Sequence, residues 1–150
     1  MALLKVGDAA PEFCLQGTDG LEHRLQDFRG EKLVLYFYPK DSTPGCTQES
    51  CDFRDYKNVI EATEAKIVGV SADSIESHEK FISKHDLNFL LLSDPSKAML
   101  SAYGVLKENG GIARTTYIVD ANGKIAKVYP QVSVAGHVED IIADLPLIKD

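Results

Sequence analysis

The chain has 150 residues, of which 44% are hydrophobic and 26% are charged, and its formal net charge is −7. This composition predicts one globular domain over residues 1–150 with a sizeable core. The negative charge argues against nucleic acid or an anionic membrane surface as a partner. The first residues lack the long apolar core of a signal peptide and no stretch could span a bilayer, so we expect a cytoplasmic protein.

The first third of the chain is predicted to form a β-hairpin followed by a buried strand. Two short strands, 12–16 and 22–25, flank a glycine-rich turn. Cys14 falls in the first of them, where we expect it to pack in the core. The apolar run 32–38, which ends at Pro39, is typical of a central strand covered on both faces.

The rest of the chain alternates helices and strands. The predicted elements are a helix beginning at Pro44, a strand at 66–71, a helix at 74–85, a strand at 89–93, a helix at 96–103, a hairpin formed by 114–120 and 124–129, and a last helix at 137–145. This order is that of a thioredoxin-like α/β domain. The expected architecture is a central mixed β-sheet flanked by helices, with the N-terminal hairpin added.

The junction between the apolar strand and the next helix carries the strongest chemical signal. Thr43 suits the N-cap and Pro44 the first helical position, which places Cys46 in the first turn. A thiol there faces unpaired backbone N–H groups and the positive end of the helix dipole, and both favour the thiolate. Gly45 leaves the backbone open to close approach by a small molecule. The sequence therefore predicts a reactive cysteine, with the Thr43 hydroxyl near enough to donate to its sulfur.

A second cysteine, Cys51, follows Cys46 by five positions. On an ideal helix this spacing puts the two Cα atoms about 8.6 Å apart on different faces. A disulfide needs Cα atoms within about 7 Å, so a Cys46–Cys51 bond requires local unwinding. The spacing suggests a cycle with a folded and an unwound conformation. The alternative is that Cys51 is a small buried hydrophobe on the inner face of the helix.

Two other classes of protein share some of these features. A general thiol–disulfide oxidoreductase normally carries Cys-x-x-Cys, which this sequence lacks. A metal-binding module could use Cys46 and Cys51 with a histidine. However, the four histidines show no ligand spacing and are expected at the surface or at helix ends: His23, His78, His85 and His137.

Several segments of the sequence together form a recognisable pattern. They are the run Tyr-Phe-Tyr-Pro-Lys-Asp-Ser-Thr-Pro-Gly-Cys-Thr-Gln-Glu at 36–49, Cys51, the later Arg-Thr-Thr-Tyr-Ile-Val-Asp at 114–120, and the stretches 7–13 and 135–137. In these segments the chain resembles a peroxiredoxin of the bacterioferritin comigratory protein or Q type. The resemblance implies an antioxidant peroxidase of cell redox homeostasis that reduces hydrogen peroxide and organic hydroperoxides. It further implies thioredoxin or glutaredoxin as the reductant, no cofactor and no metal, and we expect a monomer.

The resemblance also implies roles for individual residues. Cys46 is the peroxidatic cysteine, which becomes a sulfenic acid, and Cys51 is the resolving cysteine, which forms an intramolecular disulfide with it. Thr43 and Pro39 shape the pocket around the sulfur. Arg114 places its guanidinium beside the sulfur.

Glu49 and Gly45 are expected to support this pocket. Glu49 lies one turn after Cys46, where a carboxylate pair could fix the Arg114 guanidinium; an ordinary surface glutamate is the alternative. The stretch between Tyr103 and Arg114 lacks the extended glycine- and lysine-rich loop that many relatives carry. This departure bears on the breadth of the pocket and on any dimer contact made by that loop.

Overall fold

The structure, a computed structural model, describes residues 3–148. Within them the strands are β1 (Cys14–Gly17), β2 (Glu22–Arg24), β3 (Lys32–Phe37), β4 (Ala65–Ser71), β5 (Leu90–Ser93), β6 (Thr115–Val119) and β7 (Ile125–Tyr129). They form one sheet in the order β2-β1-β5-β4-β3-β6-β7. Strands β3, β4 and β5 run parallel, whereas β1 joins β5 and β6 joins β3 antiparallel. The predicted mixed sheet and the N-terminal hairpin are therefore confirmed.

The helices connect and flank these strands. They are α1 (Pro44–Asp55), α2 (Lys57–Glu61), α3 (Ile75–His85), α4 (Ala98–Ala102) and α5 (His137–Asp144), and short 3-10 turns lie at Leu25–Phe28 and Leu145–Leu147. The prediction missed α2 and the two 3-10 turns, because one or two turns of helix carry too little hydrophobic periodicity to be distinguished. None of the helices in the part of the chain described here is long and apolar enough to cross a membrane.

Strand β3 is the centre of the sheet, and all six of its residues are buried. Its residue Tyr36 holds α1 on one face: the ring stacks on Phe53, with centroids 4.6 Å apart, and the hydroxyl lies 2.8 Å from Ser50 Oγ. Tyr36 pairs across the sheet with Gly69 of β4. A Cβ on Gly69 would lie 2.7 Å from Tyr36 Cζ and 2.7 Å from Leu91 Cδ2. The missing side chain at Gly69 thus leaves the space in which Tyr36 supports α1.

Cys14 is exposed, so the expectation that it packs in the core is wrong. Side chains alternate along a strand, and in β1 it is Leu15 that packs against the core. Cys14 therefore points outward. A hydrogen bond with Glu22 is the main cause that raises the pKa of the Cys14 thiol. Cys14 is therefore an exposed cysteine in a setting that disfavours its reactive, ionised form.

The contacts around Gly69 predict that Gly69→Ala destabilises the protein. We expect the free energy of unfolding to fall by about 1–3 kcal/mol, because the added methyl group overpacks a buried site. Urea denaturation of the reduced protein measures this loss. Leu91→Ala removes one of the crowding side chains, so the double variant should lose less than the sum of the two single losses. An unchanged single variant or strictly additive losses would contradict this account.

Candidate active site

Cys46 occupies the third position of α1, which begins at Pro44 after the N-cap residue Thr43, as predicted. The first backbone hydrogen bond of the helix is donated by Thr47 N–H to the Thr43 carbonyl, at 2.8 Å. The N–H groups of Gly45 and Cys46 therefore have no partner within the helix. The Cys46 side chain is fully buried. Its sulfur thus lies at the positive end of the helix dipole, out of contact with water.

Arg114 brings a positive charge to this sulfur from a segment 68 residues away in sequence. Its Nη2 donates to Cys46 Sγ at 3.3 Å, and its Nη1 donates to Glu49 Oε1 at 2.8 Å. The planar guanidinium, with several donors in a fixed fork, thus faces the thiol and the carboxylate at once. Burial lowers the pKa of Arg114, but the hydrogen bond to Cys46 and the negative charge of Glu49 outweigh this effect and raise it.

Gly45 provides the space for this guanidinium. A Cβ on Gly45 would lie 3.1 Å from Arg114 Nη2. That distance is shorter than an ordinary contact between a carbon and a nitrogen atom, so a side chain here would press Arg114 away from the sulfur. In this structure the close neighbour of Gly45 is Arg114, and the approach of a small molecule to Gly45 stays a prediction.

In the loop before α1, the Thr43 hydroxyl does not donate to the Cys46 sulfur as expected. The Thr43 hydroxyl donates to the Lys40 carbonyl at 2.9 Å, so its proton points into the loop and away from the Cys46 sulfur. Two lone pairs of that hydroxyl stay available as acceptors. Pro39 is exposed in the same loop. The contribution of both residues to the pocket stays a prediction.

Cys51 lies within the same helix as Cys46 and is half-buried. Both thiols are free, and α1 is continuous from Pro44 to Asp55. The two cysteines therefore sit at the helical spacing that keeps them apart. The resolving role of Cys51, which needs the helix to unwind, stays a prediction.

Glu49 is the buried acid of the site, and it is 1% exposed. Desolvation raises its pKa to about 7, although the charge and the hydrogen bond of Arg114 act in the opposite direction. Its second oxygen, Oε2, has no hydrogen-bond partner and lies 4.0 Å from His137 Nε2. Burial lowers the pKa of His137 to about 4, and its Nε2 is 2.9 Å from Thr116 Oγ1. Between these two pKa values both side chains are therefore neutral.

His78 lies in the first turn of α3, where its N–H donates to the carbonyl of the N-cap residue Ser74, and it is fully buried. The expectation of a helix end is therefore met, whereas that of a surface position is wrong. With Asp41 and Asp73, His78 forms the one group in residues 3–148 whose possible metal ligands lie within 4.8 Å of one another. Neither Cys46 nor Cys51 belongs to this group. The described residues therefore offer no metal centre built on the two thiols.

The short stretch before Arg114 turns back on itself through a bridge between Leu106 and Ile112. It borders a groove of about 750 Å³, whose lining includes Leu106, Ala113 and Pro130 but neither Cys46 nor Arg114. The chemistry requires contact with the sulfur, so we place the candidate reaction centre at Cys46 and not in this groove.

Comparisons of the sequence and of the fold find related proteins. The model of the AhpC/TSA family matches residues 6–128. Peroxiredoxin Bcp of Bacillus subtilis is 42% identical over 149 residues, covering 95% of each chain, and a putative peroxiredoxin bcp of Coxiella burnetii is 41% identical over 149 residues, covering 95% of this chain and 99% of that one. Among solved structures, a cysteine-to-serine mutant of Xylella fastidiosa PrxQ superposes with a TM-score of 0.93 at 32% identity over 98% of both chains. A Xanthomonas campestris bacterioferritin comigratory protein, studied for alkyl peroxide reduction, gives 0.89 at 36% identity over 98% of both chains.

The raised pKa of Glu49 predicts how stability changes with pH. Its pKa is about 7 in the folded protein against an ordinary value of 4.5, so the folded state binds more protons between these values. The stabilisation from protonated Glu49 is complete below pH 4.5 and is lost as the pH rises through 7. Relative to Glu49→Gln, the native protein should therefore lose on the order of 2–3 kcal/mol between pH 5 and pH 8.

Urea unfolding of both proteins at the two pH values measures this difference. His137 acts in the opposite sense, because its lowered pKa makes stability fall as the pH drops from 6.5 towards 4. It is present in both proteins, so its contribution largely cancels. A pH-independent gap between the two proteins would show that Glu49 is ionised throughout this range.

Proposed function

The chain belongs to the AhpC/TSA family and is a thiol-dependent peroxidase of the bacterioferritin comigratory protein or Q type, and we propose that it reduces hydroperoxides at Cys46. The observation that supports this most directly is the Arg114 guanidinium shared between Cys46 Sγ and Glu49 Oε1. A cation fixed beside a buried sulfur favours the thiolate and can also bind a peroxide oxygen.

In the first step, the Cys46 thiolate attacks the terminal oxygen of the hydroperoxide in line with the O–O bond. The S–O bond forms as the O–O bond breaks, and the products are Cys46 sulfenic acid and an alkoxide or hydroxide, which takes up a proton to become alcohol or water. Arg114 stabilises the charge that develops on the leaving oxygen. Glu49 holds the guanidinium in the plane that this requires, since its Oε1 accepts from Nη1.

Thr43 has a role that its hydrogen bond to Lys40 defines. Because its own proton is donated to that carbonyl, the hydroxyl oxygen can accept the O–H proton of the attacked peroxide oxygen. Thr43 and Arg114 would then hold the substrate between an acceptor and a donor. The unpaired N–H of Cys46 adds a further donor. Pro39 has no N–H to offer and would limit access of water to the sulfur.

In the second step, the first turns of α1 unwind and Cys51 condenses with the sulfenic acid. The Cys51 thiol attacks the oxidised sulfur, a disulfide forms and water leaves. Oxidation itself promotes the unwinding, because the neutral sulfenic acid attracts the Arg114 guanidinium less strongly than the thiolate does. One of the two contacts through which Arg114 holds the helix is thereby weakened.

The disulfide is reduced by an external dithiol through thiol–disulfide exchange, and we propose thioredoxin for this role. Hydrogen peroxide and organic hydroperoxides are the proposed substrates. We further propose that the protein works as a single-domain monomer in the cytoplasm. The absence of Cys-x-x-Cys from the sequence is consistent with a peroxidase that receives electrons from a separate dithiol protein.

The cycle predicts two different products after one equivalent of hydrogen peroxide. The native protein should form a Cys46–Cys51 disulfide, whereas Cys51→Ser should stop at a Cys46 sulfenic acid that a dimedone-type reagent traps. Mass spectrometry with peptide mapping distinguishes the two products. Cys14→Ser is the control and should behave as the native protein, because Cys14 is exposed and lies outside the site. An inert Cys46 would refute the peroxidase mechanism, and an oxidised Cys46 without the disulfide would refute the role of Cys51.

The guanidinium fork predicts that Arg114→Lys is severely impaired although the charge is kept. An ammonium group is a point charge and cannot donate to the sulfur, the peroxide and Glu49 in fixed directions. We expect the rate of Cys46 oxidation to fall on the order of 10²-fold or more. The rate is measured by stopped flow at a pH where absorbance at the thiolate band has reached its plateau for both proteins. A rate within a few-fold of the native one under these conditions would show that charge alone suffices.

A further inference from the structure

A buried polar cluster holds the loop 38–43, which leads from β3 into α1. His78 of α3 is fully buried, and the side chain of Asp41 in the loop is 2% exposed. His78 Nδ1 lies 2.6 Å from Asp41 Oδ2, and His78 Nε2 lies 2.9 Å from the Leu92 carbonyl oxygen of β5. The imidazole ring thus connects the loop to the parallel part of the sheet.

The hydrogen-bond partners of His78 and Asp41 indicate which of their atoms carry protons. A carbonyl oxygen only accepts, so His78 Nε2 carries a proton. Asp41 Oδ1 accepts from the Tyr38 hydroxyl at 2.6 Å, and Asp41 Oδ2 accepts from the Ser77 hydroxyl at 2.8 Å, as an ionised carboxylate does. One proton lies between Nδ1 and Oδ2, and we assign it to the nitrogen, because both carboxylate oxygens already accept from hydroxyl groups. With this assignment the buried pair consists of an imidazolium and a carboxylate.

Hydrogen bonds also explain why Asp41, Asp73 and His78 lie close together, and no cation is needed for this. Asp73 Oδ2 accepts from the Asp41 backbone N–H at 2.8 Å and from the Ser71 hydroxyl at 2.7 Å. Donors thus occupy the oxygen positions that a metal ion would require, and an imidazolium has no lone pair to offer one. The cluster is an ion pair embedded in hydrogen bonds.

The loop 38–43 has an unfavourable backbone conformation next to Asp41, the residue through which the cluster anchors it. Ser42, which follows Asp41, has φ of 64°, in the left-handed region that side chains disfavour. Such a conformation persists only where surrounding contacts impose it. Asp41 is fixed twice, through its side chain by His78 and through its backbone by Asp73. The loop geometry on both sides of Asp41 therefore depends on this anchor.

We propose that His78 is a positioning residue for the peroxide step, acting through Asp41 on the loop that carries Pro39 and Thr43. The inference rests on the proposed reaction at Cys46. The carboxylate of Asp41 is held by Tyr38, at the start of the same loop, and by Ser77 and His78 of α3, and the second hydrogen bond of the His78 ring goes to β5. None of them belongs to α1. The loop can therefore stay in place while α1 unwinds, so loss of the anchor should affect peroxide reduction more than disulfide formation.

Two variants distinguish the two hydrogen bonds of the His78 ring, the one to Asp41 and the one to Leu92. The amide nitrogen of asparagine occupies about the place of Nδ1, so His78→Asn keeps a donor for Asp41. The amide nitrogen of glutamine reaches about as far as Nε2, so His78→Gln keeps a donor for Leu92 and loses the one for Asp41. His85→Gln is the matched control, because it removes a histidine from the last turn of the same helix, outside the buried cluster.

The measurement is single-turnover oxidation of Cys46 by hydrogen peroxide, followed by disulfide formation, each expressed per folded molecule. We expect His78→Gln to slow oxidation about tenfold or more, since a small displacement of a positioned group costs this much. His78→Asn should recover a large part of the loss, His85→Gln should match the native protein, and disulfide formation should change little. Asp41→Asn, which presents a donor towards Nδ1, should show the same selective slowing if His78→Gln does not fold.

Nitrogen-15 NMR of the native protein gives a readout that does not depend on activity. Both ring nitrogens of His78 should have imidazolium shifts. A neutral ring, an unchanged oxidation rate in His78→Gln or Asp41→Asn, or equal slowing of both chemical steps would overturn the inference. If the native protein itself fails to react with peroxide, the proposed function is refuted instead, and the NMR result still decides the charge state of the pair.

Discussion

The site depends on the two hydrogen bonds that the Arg114 guanidinium donates, one to the Cys46 sulfur and one to the Glu49 carboxylate. Cys46 and Glu49 lie one turn apart on α1, whereas Arg114 immediately precedes β6, which pairs with the central strand β3. One cation therefore does two things: it favours the thiolate, and it binds the reactive turn of the helix to the sheet. In the proposed reaction, oxidation of Cys46 to a neutral sulfenic acid would weaken the attraction between the sulfur and the guanidinium, and with it both effects.

Placing Glu49 beside Arg114 requires the burial of an ionisable group. Glu49 is buried with one oxygen unpartnered, and desolvation raises its pKa to about 7. Unsatisfied buried polar groups are rare in folded proteins, and they concentrate where function requires them. In return, the other oxygen of Glu49 accepts a hydrogen bond that orients the Arg114 guanidinium beside the sulfur. His137, whose pKa burial lowers to about 4, adds no positive charge that would compete with Arg114 at neutral pH.

Helix α1 and the loop that precedes it are supported by different parts of the fold. Tyr36 stacks beneath α1, and Gly69 leaves the space for it, so the inner face of the helix rests on the central strands. The loop before α1 is attached through Asp41 to different elements altogether. Support for the loop and support for the helix are thus separable. In the proposed cycle, in which α1 unwinds to form the disulfide, this separation would let the pocket form again on an undisturbed loop.

Local sequence patterns determined the order of strands and helices, the N-terminal hairpin, the start of α1 at Pro44 and the position of Cys46 in its first turn. Each of these depends on hydrophobic periodicity, capping and turn residues within a few positions of one another. Tertiary structure alone decided that Cys14 faces outward, that Glu49 is a buried partner of Arg114, and that His78 is buried against Asp41. These outcomes depend on which distant segment supplies the neighbouring surface or hydrogen-bond partner. That choice is made by packing, because the free energy of burying a polar group depends on partners that no local pattern specifies.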